Sequence, residues 1–317
     1  MVWFALGTYY DASEKKSALV LDDDVYDLVE ACRVLHPKGL ENNAWIAGGT
    51  DGIMRDWNNV ESEVQALAEA VAKWEDTEVL APLADGKKKL AAPIQPERIF
   101  GAAANYVEHA NEMGTVLATK AESNPYVFLK ADSSTIGPGD TIYLPKQSKM
   151  VDWEIELAVI IGRQCHHVDA ESALDYVAGY SVINDITARD LNVRTDYPFK
   201  FDWFQGKSFD TFAPLGPWIV PASCINDPQA LSLVLSINDE VMQDSSTDEM
   251  IYTVREQIAY LSSILTLRPG DVLATGTPTG VGMARGIFLK PGDVITASIE
   301  NIGTLNNPVA AQTHAYL

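Results

Sequence analysis

Residues 151–157 read VDWEIEL and run on into AVIIGR, residues 158–163. Side chains alternate faces along a strand. Val151, Trp153, Ile155 and Leu157 therefore share one face, and Asp152, Glu154 and Glu156 share the other. The continuation is almost wholly apolar, which predicts a central strand covered on both faces. Same-face neighbours lie roughly 6.6 Å apart on a strand rising about 3.3 Å per residue. Two partly buried carboxylates at that spacing repel and raise each other's pKa, and a divalent cation removes the conflict. Alternation alone fits a solvated edge face equally well. The apolar continuation weighs against that, and so does another acid, Asp185. It ends the short strand expected over Tyr180–Asn184 in AGYSVINDITARD, residues 178–190. A set of oxygen donors without His or Cys implies a hard cation, Mg2+ or Mn2+, with Ca2+ the poorer match.

Outward from this stretch the chain is β-rich. Pro-Gly-Asp opens an apolar run three times: GPGDTIYL (137–144), RPGDVLATG (268–276) and KPGDVITASIE (290–300). Proline sets φ for the first central turn residue and glycine takes the positive φ of the next. In LSLVLSINDEVM (231–242), Leu231, Leu233, Leu235 and Ile237 alternate with Ser232, Val234 and Ser236, and Asn238-Asp239 suits a hairpin turn. One helix interrupts, with Val254, Ile258, Leu261 and Leu265 on a common face. The first ninety residues read differently. VYDLVEACRVL (25–35) and ESEVQALAEAVAKW (61–74) predict helices, the latter with Val64, Leu67, Val71 and Trp74 on one face. A Pro-, Ala- and Lys-rich connector, residues 81–100, then places a boundary near residue 93. The expected organisation is a small N-terminal α+β domain over 1–93 and a mainly β, α+β body over 94–317.

The 317 residues carry a net charge of −21, which excludes nucleic acid as a partner and disfavours anionic membrane surfaces. No run of eighteen apolar residues marks a membrane span. The start MVWFALGTYYDASEKK lacks a basic region and a cleavage site, and reads as a first strand. Cys32, Cys165 and Cys224 form no CxxC pair and are expected to be reduced thiols of a cytoplasmic protein.

Four blocks in order, DWEIELAVIIGR (152–163), GYSVINDITARD (179–190), GKSFDTFAPLGPWIV (206–220) and LATGTPTGVGM (273–283), resemble the signature blocks of the fumarylacetoacetate hydrolase superfamily. The resemblance runs over about residues 95–305. It implies that superfamily's mixed β-sandwich or roll, with Glu154, Glu156 and Asp185 holding Mg2+ or Mn2+. It also changes the reading of NYVEHANEMG (105–114). There His109 and Glu112 share a helix face, a spacing that taken alone is usually a surface pair. Following IFGAAAN, the block resembles the catalytic His–Glu element of the acylpyruvate-hydrolase branch, on a helix that orders over the metal when ligand binds. Glycine and small residues around it suit a mobile cover.

The same resemblance implies Lys207 at a substrate oxyanion and Arg189 at the substrate carboxylate. Thr277, Lys130 and Tyr106 would complete the substrate contacts. Asp132, after the FLK block, departs from the family pattern and adds a negative charge beside a site for an anion. His166 and His167 read as surface residues of a polar turn, and His36 and His314 have no context.

The implied reaction is hydrolysis of a C–C bond in a 2,4-dioxo acid, such as fumarylpyruvate or maleylpyruvate, by a homodimer. A decarboxylase or isomerase of a related oxo-diacid, such as oxaloacetate or 2-hydroxyhepta-2,4-diene-1,7-dioate, would use the same metal ligands. A non-catalytic, metal-stabilised binding protein would keep the ligands without needing His109, Glu112 and Lys207.

Overall fold

A computed structural model describes residues 2–22, 24–35, 46, 48–83, 89–114 and 116–313. His36 and His314 lie outside the described residues. The N-terminal part gives β1 (Ala5–Asp11), β2 (Glu14–Leu21), β3 (Asp24–Asp27), α1 (Leu28–Leu35), α2 (Gly49–Arg55), α3 (Trp57–Val71) and β4 (Lys89–Ala91). Then come β5 (Ile99–Ala103), α4 (Val107–Glu112), β6 (Tyr126–Lys130), β7 (Thr135–Ile136) and β8 (Ile142–Leu144). The VDWEIEL stretch and its continuation form β9 (Val151–Asp152) and β10 (Ile155–Ile161). They lead to β11 (Val177–Asn184), β12 (Thr187–Ala188), α5 (Trp203–Lys207) and β13 (Ala213–Pro221). The remainder adds β14 (Ser232–Ile237), β15 (Glu240–Ser246), α6 (Val254–Ile264), β16 (Val272–Ala274), α7 (Gly282–Arg285), β17 (Val294–Ile299) and β18 (Gly303–Ala311).

Strands dominate this α+β fold. The larger sheet runs β3-β2-β1-β13-β11-β10-β16-β5-β6, with β4 joined to β1 and β7 to β13. A second sheet runs β15-β14-β17-β18-β8, and β9 pairs with β12. Strand β10 is central, antiparallel to β11 and β16. Its odd-numbered side chains Leu157, Val159 and Ile161 enter a core shared with Leu233, Leu235, Ile295 and Leu305 of the second sheet. Ala158 and Ile160 face a different core, shared with Ile53, Val64 and Leu67 of the N-terminal helices. The expected two-sided cover of this strand is therefore built by a sheet on one side and helices on the other.

The stretch is not one continuous strand. It breaks at Trp153-Glu154 because side chains there replace the sheet ladder. The Asp152 carboxylate accepts from Trp153 N (2.8 Å) and the Asn184 side chain accepts from Glu154 N (2.9 Å). The Gln243 side chain accepts from Ile155 N (3.1 Å). Satisfying the backbone this way lets the chain turn without orphaned buried polar groups.

The helix expected over 25–35 begins only at Leu28, because Val25, Tyr26 and Asp27 pair with β2 as part of β3; the turn readings agree with the structure. Gly139, Gly270 and Gly292 of the three Pro-Gly-Asp turns have positive φ. Asn238 and Asp239 are both left-handed, as the β14–β15 hairpin turn requires. Thr253 and Glu256 form a capping box on α6. Helix α3 begins and ends earlier than expected; Val64, Leu67 and Val71 are buried, but Trp74 lies past its end. The expected boundary near residue 93 would fall between β4 and β5, and β1 hydrogen-bonds to β13 across it within one sheet. Among the described residues no helix is long and apolar enough to cross a membrane. All three cysteines are free, and burial pushes Cys32 up to about 12 and Cys165 to about 11.

Candidate active site

At the open end of β10 and β11, Glu154, Glu156 and Asp185 come together, all buried, each with an oxygen within 4.8 Å of the others. Three cations close in on them. The Lys130 Nζ, from the end of β6, donates to Asp185 Oδ1 (2.6 Å) and to the Ile186 carbonyl (3.1 Å). The Lys207 Nζ, from the end of α5, donates to Glu154 Oε2 (2.7 Å) and to Asp185 Oδ2. The Arg189 guanidinium pairs with Asp152 (2.8 Å) and with Glu154 (2.6 Å).

The acids are not equivalent. Burial alone would raise Glu154, but Arg189 and Lys207 more than offset it and hold its carboxyl well below the usual range. Glu156 is pushed well above that range, first by burial and then by Asp185 and Glu154. The Gly276 N–H donates to it at 2.7 Å. Burial pulls the Lys130 ammonium down, against Asp185. Lys207 stays raised because Asp185 and Glu154 overcome burial.

An all-oxygen set of buried carboxylates, one of them forced towards its neutral form by burial and by the other two, suits a hard divalent cation. The residues present therefore fit Mg2+ or Mn2+, with Glu154, Glu156 and Asp185 as its holders.

Asp152, the third acid of the opening stretch, belongs to a different structure. It is fully buried, yet it accepts from Gly282 N (2.7 Å) and Met283 N (2.9 Å) at the start of α7, and from Arg189. It anchors the loop before α7 and aims Arg189 at Glu154.

The His109–Glu112 pair forms as expected, with Nδ1 2.9 Å from Oε1. Glu112 is also held by the Thr279 hydroxyl (2.8 Å) and the Gly280 N–H (3.0 Å). Burial alone would raise its carboxyl; His109, Gly280 and Thr279 keep it below the ordinary range. Gly276 and Gly280 both have positive φ, and a Cβ would lie 2.6 Å from the Asn105 side chain in one and 2.1 Å from the Met242 carbonyl in the other. Glycine-rich turns of this kind commonly offer their N–H groups to a bound anion. Instead Gly276 and Gly280 donate to the protein's own Glu156 and Glu112. The Thr277 hydroxyl is likewise engaged, donating to Ile155 O (2.9 Å) and accepting from Gln243 (2.8 Å).

A cavity of about 100 Å3 gathers His109, Glu154, Glu156, Arg189, Lys207 and Thr277 in its walls. Lys130 and Tyr106, also expected at the substrate, do not line it. Lys130 supports Asp185 from behind. Tyr106 is buried in the core, its hydroxyl unpartnered among the described residues. Asp132 is exposed and caps Ser133 N, away from the cavity. His166 and His167 are exposed, as expected. Three contributors escaped the sequence reading. Gln243 clamps Ile155 to the Thr277 loop, Asn105 clamps Thr275 to Tyr252, and Trp203 lines the cavity beside Lys207. Only Trp203 carried a local signal, lying four residues before Lys207.

Comparison with known proteins agrees with this architecture. Residues 98–310 match the fumarylacetoacetate (FAA) hydrolase C-terminal family. Oxaloacetate tautomerase Fahd2a, mitochondrial, of Rattus norvegicus is 41% identical over 222 residues, covering 69% of this chain and 68% of that protein. The 2,4-didehydro-3-deoxy-L-rhamnonate hydrolase of Sphingomonas sp. (strain SKA58) is 39% identical over 268 residues, covering 83% and 91%. The crystal structure of maleylpyruvate hydrolase from Sphingobium sp. SYK-6, in complex with manganese(II) and pyruvate, aligns with a TM-score of 0.73 and 27% identity over 98% of this chain and 100% of that one. From its ordered sequence blocks, its sheet and these matches, the chain belongs to the fumarylacetoacetate hydrolase family.

Proposed function

We propose that the protein is a metal-dependent hydrolase of a 2,4-dioxo acid, releasing pyruvate and a carboxylic acid. The observation that carries this reading is the His109–Glu112 pair in the wall of the cavity that also holds Glu154 and Glu156. A bound Mg2+ or Mn2+ would supply Lewis-acid polarisation and orient the oxo-acid head. Glu112 accepts from His109 Nδ1, which leaves Nε2 to take a proton from water. The hydroxide adds to the distal carbonyl. Lys207 has three N–H donors, of which the two carboxylates use two; the third would stabilise the developing oxyanion. The C–C bond then breaks, its electron pair passing to the pyruvate enolate, which takes up a proton. Arg189 holds Glu154 in place throughout.

The test is pyruvate release from a panel of 2,4-dioxo acids, with and without Mn2+. Metal-stimulated release that is lost in His109→Ala is the expected result; no release from any of them would overturn the reading. A tautomerase or decarboxylase of a related oxo acid is the second reading, supported by the identity to the rat tautomerase. Neither needs an activated water. Oxaloacetate turnover that survives His109→Ala, with no pyruvate released from any dioxo acid, would favour it.

A further inference from the structure

A second cavity opens directly from the first. Its volume is about 380 Å3, and it shares Ala103, Ala104, Met113, Arg189 and Trp203 with the metal-side cavity. The metal-side cavity, at about 100 Å3, falls below the ~300–1,000 Å3 of ordinary small-molecule sites. It has room for an oxo-acid head, and the rest of a substrate must extend into its neighbour.

The walls of that neighbour are mostly hydrocarbon; the polar side chains are Arg189, Asn192, the Tyr126 hydroxyl and the Trp203 indole N–H, and neither that N–H nor the Asn192 Oδ1 has a hydrogen-bond partner among the described residues. Leu117, Val193, Phe201, Trp203 and Met283 supply most of the remainder. Trp203 is held rigidly at the junction, stacked on Phe128 with ring centroids 5.2 Å apart and tilted against Tyr126 at 5.7 Å. Arg189 is the one cation among the lining residues, and Asp152 and Glu154 already engage it.

Charge balance points the same way. Asp152, Glu154, Glu156 and Asp185 face Lys130, Arg189 and Lys207, so the cluster holds one more acid than base. A divalent cation makes it net positive by one, and a single substrate carboxylate neutralises it. A second carboxylate at the far end would leave bulk water for mainly apolar walls, with no unpaired cation among the described lining residues to meet it.

We infer that the acyl end of the substrate is an uncharged, largely apolar chain seated in this second cavity, with Leu117, Phe201 and Trp203 as its specificity-determining walls. The inference deepens the proposed function and rests on the oxo-acid head binding at the acidic cluster. It excludes the fumaryl and maleyl diacids from the preferred substrates.

Simple 2-oxo acids test it without turnover, because they lack the bond to be hydrolysed. Calorimetry on the Mn2+-loaded protein would compare pyruvate, 2-oxopentanoate, 2-oxohexanoate and 2-oxoadipate. Kd should fall about fourfold per added methylene, the equivalent of about 0.8 kcal/mol per buried CH2. The six-carbon diacid should bind at least about tenfold more weakly than 2-oxohexanoate, its monoacid counterpart. Leu117→Arg, at a part-exposed position where the fold tolerates change, should narrow or reverse that ratio. A flat chain-length series, tighter binding of 2-oxoadipate, or an unchanged ratio in Leu117→Arg would each overturn the inference. Absence of pyruvate release from dioxo acids, with the chain-length gradient intact, would sink the hydrolase reading and leave this one standing. If none of the acids binds, both fall.

Discussion

The acidic cluster and the His109–Glu112 pair line one cavity but are built in opposite ways. Glu154, Glu156, Asp185, Lys130, Arg189 and Lys207 come from β6, the β9–β10 break, the start of β10, the ends of β11 and β12, and α5, and their side chains are almost wholly buried. His109 and Glu112 sit three residues apart on one six-residue helix, and Glu112 keeps some exposure. The cluster is an interlocked set in which removing one charge strands another. The pair is locally encoded and secured from outside by Thr279 and Gly280. Deleting a member of the cluster should therefore damage stability and chemistry together, whereas deleting His109 should damage chemistry far more than stability.

The sharpest break is Glu154→Ala. It leaves Lys207 and Arg189 each short of a buried partner, so denaturant unfolding of the metal-free protein should show a loss of about 3–5 kcal/mol, with metal-stimulated activity abolished. Glu156→Gln is its control. The carboxyl it replaces is already driven towards neutrality, so stability without metal should hold or rise. Mn2+ affinity should still fall by more than the about 10–100-fold typical of losing an outer-shell partner. Equal destabilisation by the two variants would erase the asymmetry between these acids.

His109→Ala comes next. A kcat loss of about 10²–10⁴-fold is expected, with Mn2+ affinity near wild type and only about 1–2 kcal/mol lost in unfolding free energy, from the missing bond to Glu112. A matching fall in Mn2+ affinity would mean that the pair is part of the cluster after all. Asp152→Ala should cost about 3 kcal/mol in unfolding free energy, since Arg189 loses one partner and the Gly282 and Met283 N–H groups lose theirs.

The smallest effect is Thr279→Val, about 1 kcal/mol, from the lost hydrogen bond to Glu112. Its pH dependence has a definite sign. Glu112 is depressed below 4.5 in the folded protein, so the unfolded chain takes up its proton first as the solution is acidified. Its contribution is present above about 4.5 and is lost as pH falls through the folded value. The stability gap between wild type and Glu112→Gln should accordingly shrink from neutral to acid pH. A gap that widens would remove the claim that Glu112 is held ionised.

Much of this was legible along the chain, for reasons visible in particular residues. Val151, Trp153, Ile155 and Leu157 do enter one core together, because period-two alternation is a property of any extended backbone. The hairpin at Asn238-Asp239 followed from equally local chemistry. Asp152 was not legible. Its alternation matches that of Glu154 and Glu156, but the chain breaks after it, and its partners Gly282 and Met283 lie far away in sequence. Lys130 was expected at the substrate; it bonds Asp185 and the Ile186 carbonyl and does not line the cavity, because spacing does not say which side of an acid a lysine approaches. Gln243 left no signal at all, being one polar residue of a hairpin strand whose amide is used by a loop more than thirty residues away.

By itself the sequence determined the strand periodicity, the turns, the helix bearing His109 and Glu112, and the oxygen-only character of the candidate metal ligands. These depend on backbone geometry and side-chain chemistry within a few residues. Tertiary structure alone decided how the acids divide: Glu154 ionised between Arg189 and Lys207, Glu156 pushed towards neutrality, and Asp152 turned away to anchor α7. It alone joined a polar head site to an apolar tail cavity. Charge balance and cavity shape are sums over elements distant in sequence, and each exists only once the sheet has brought those elements together.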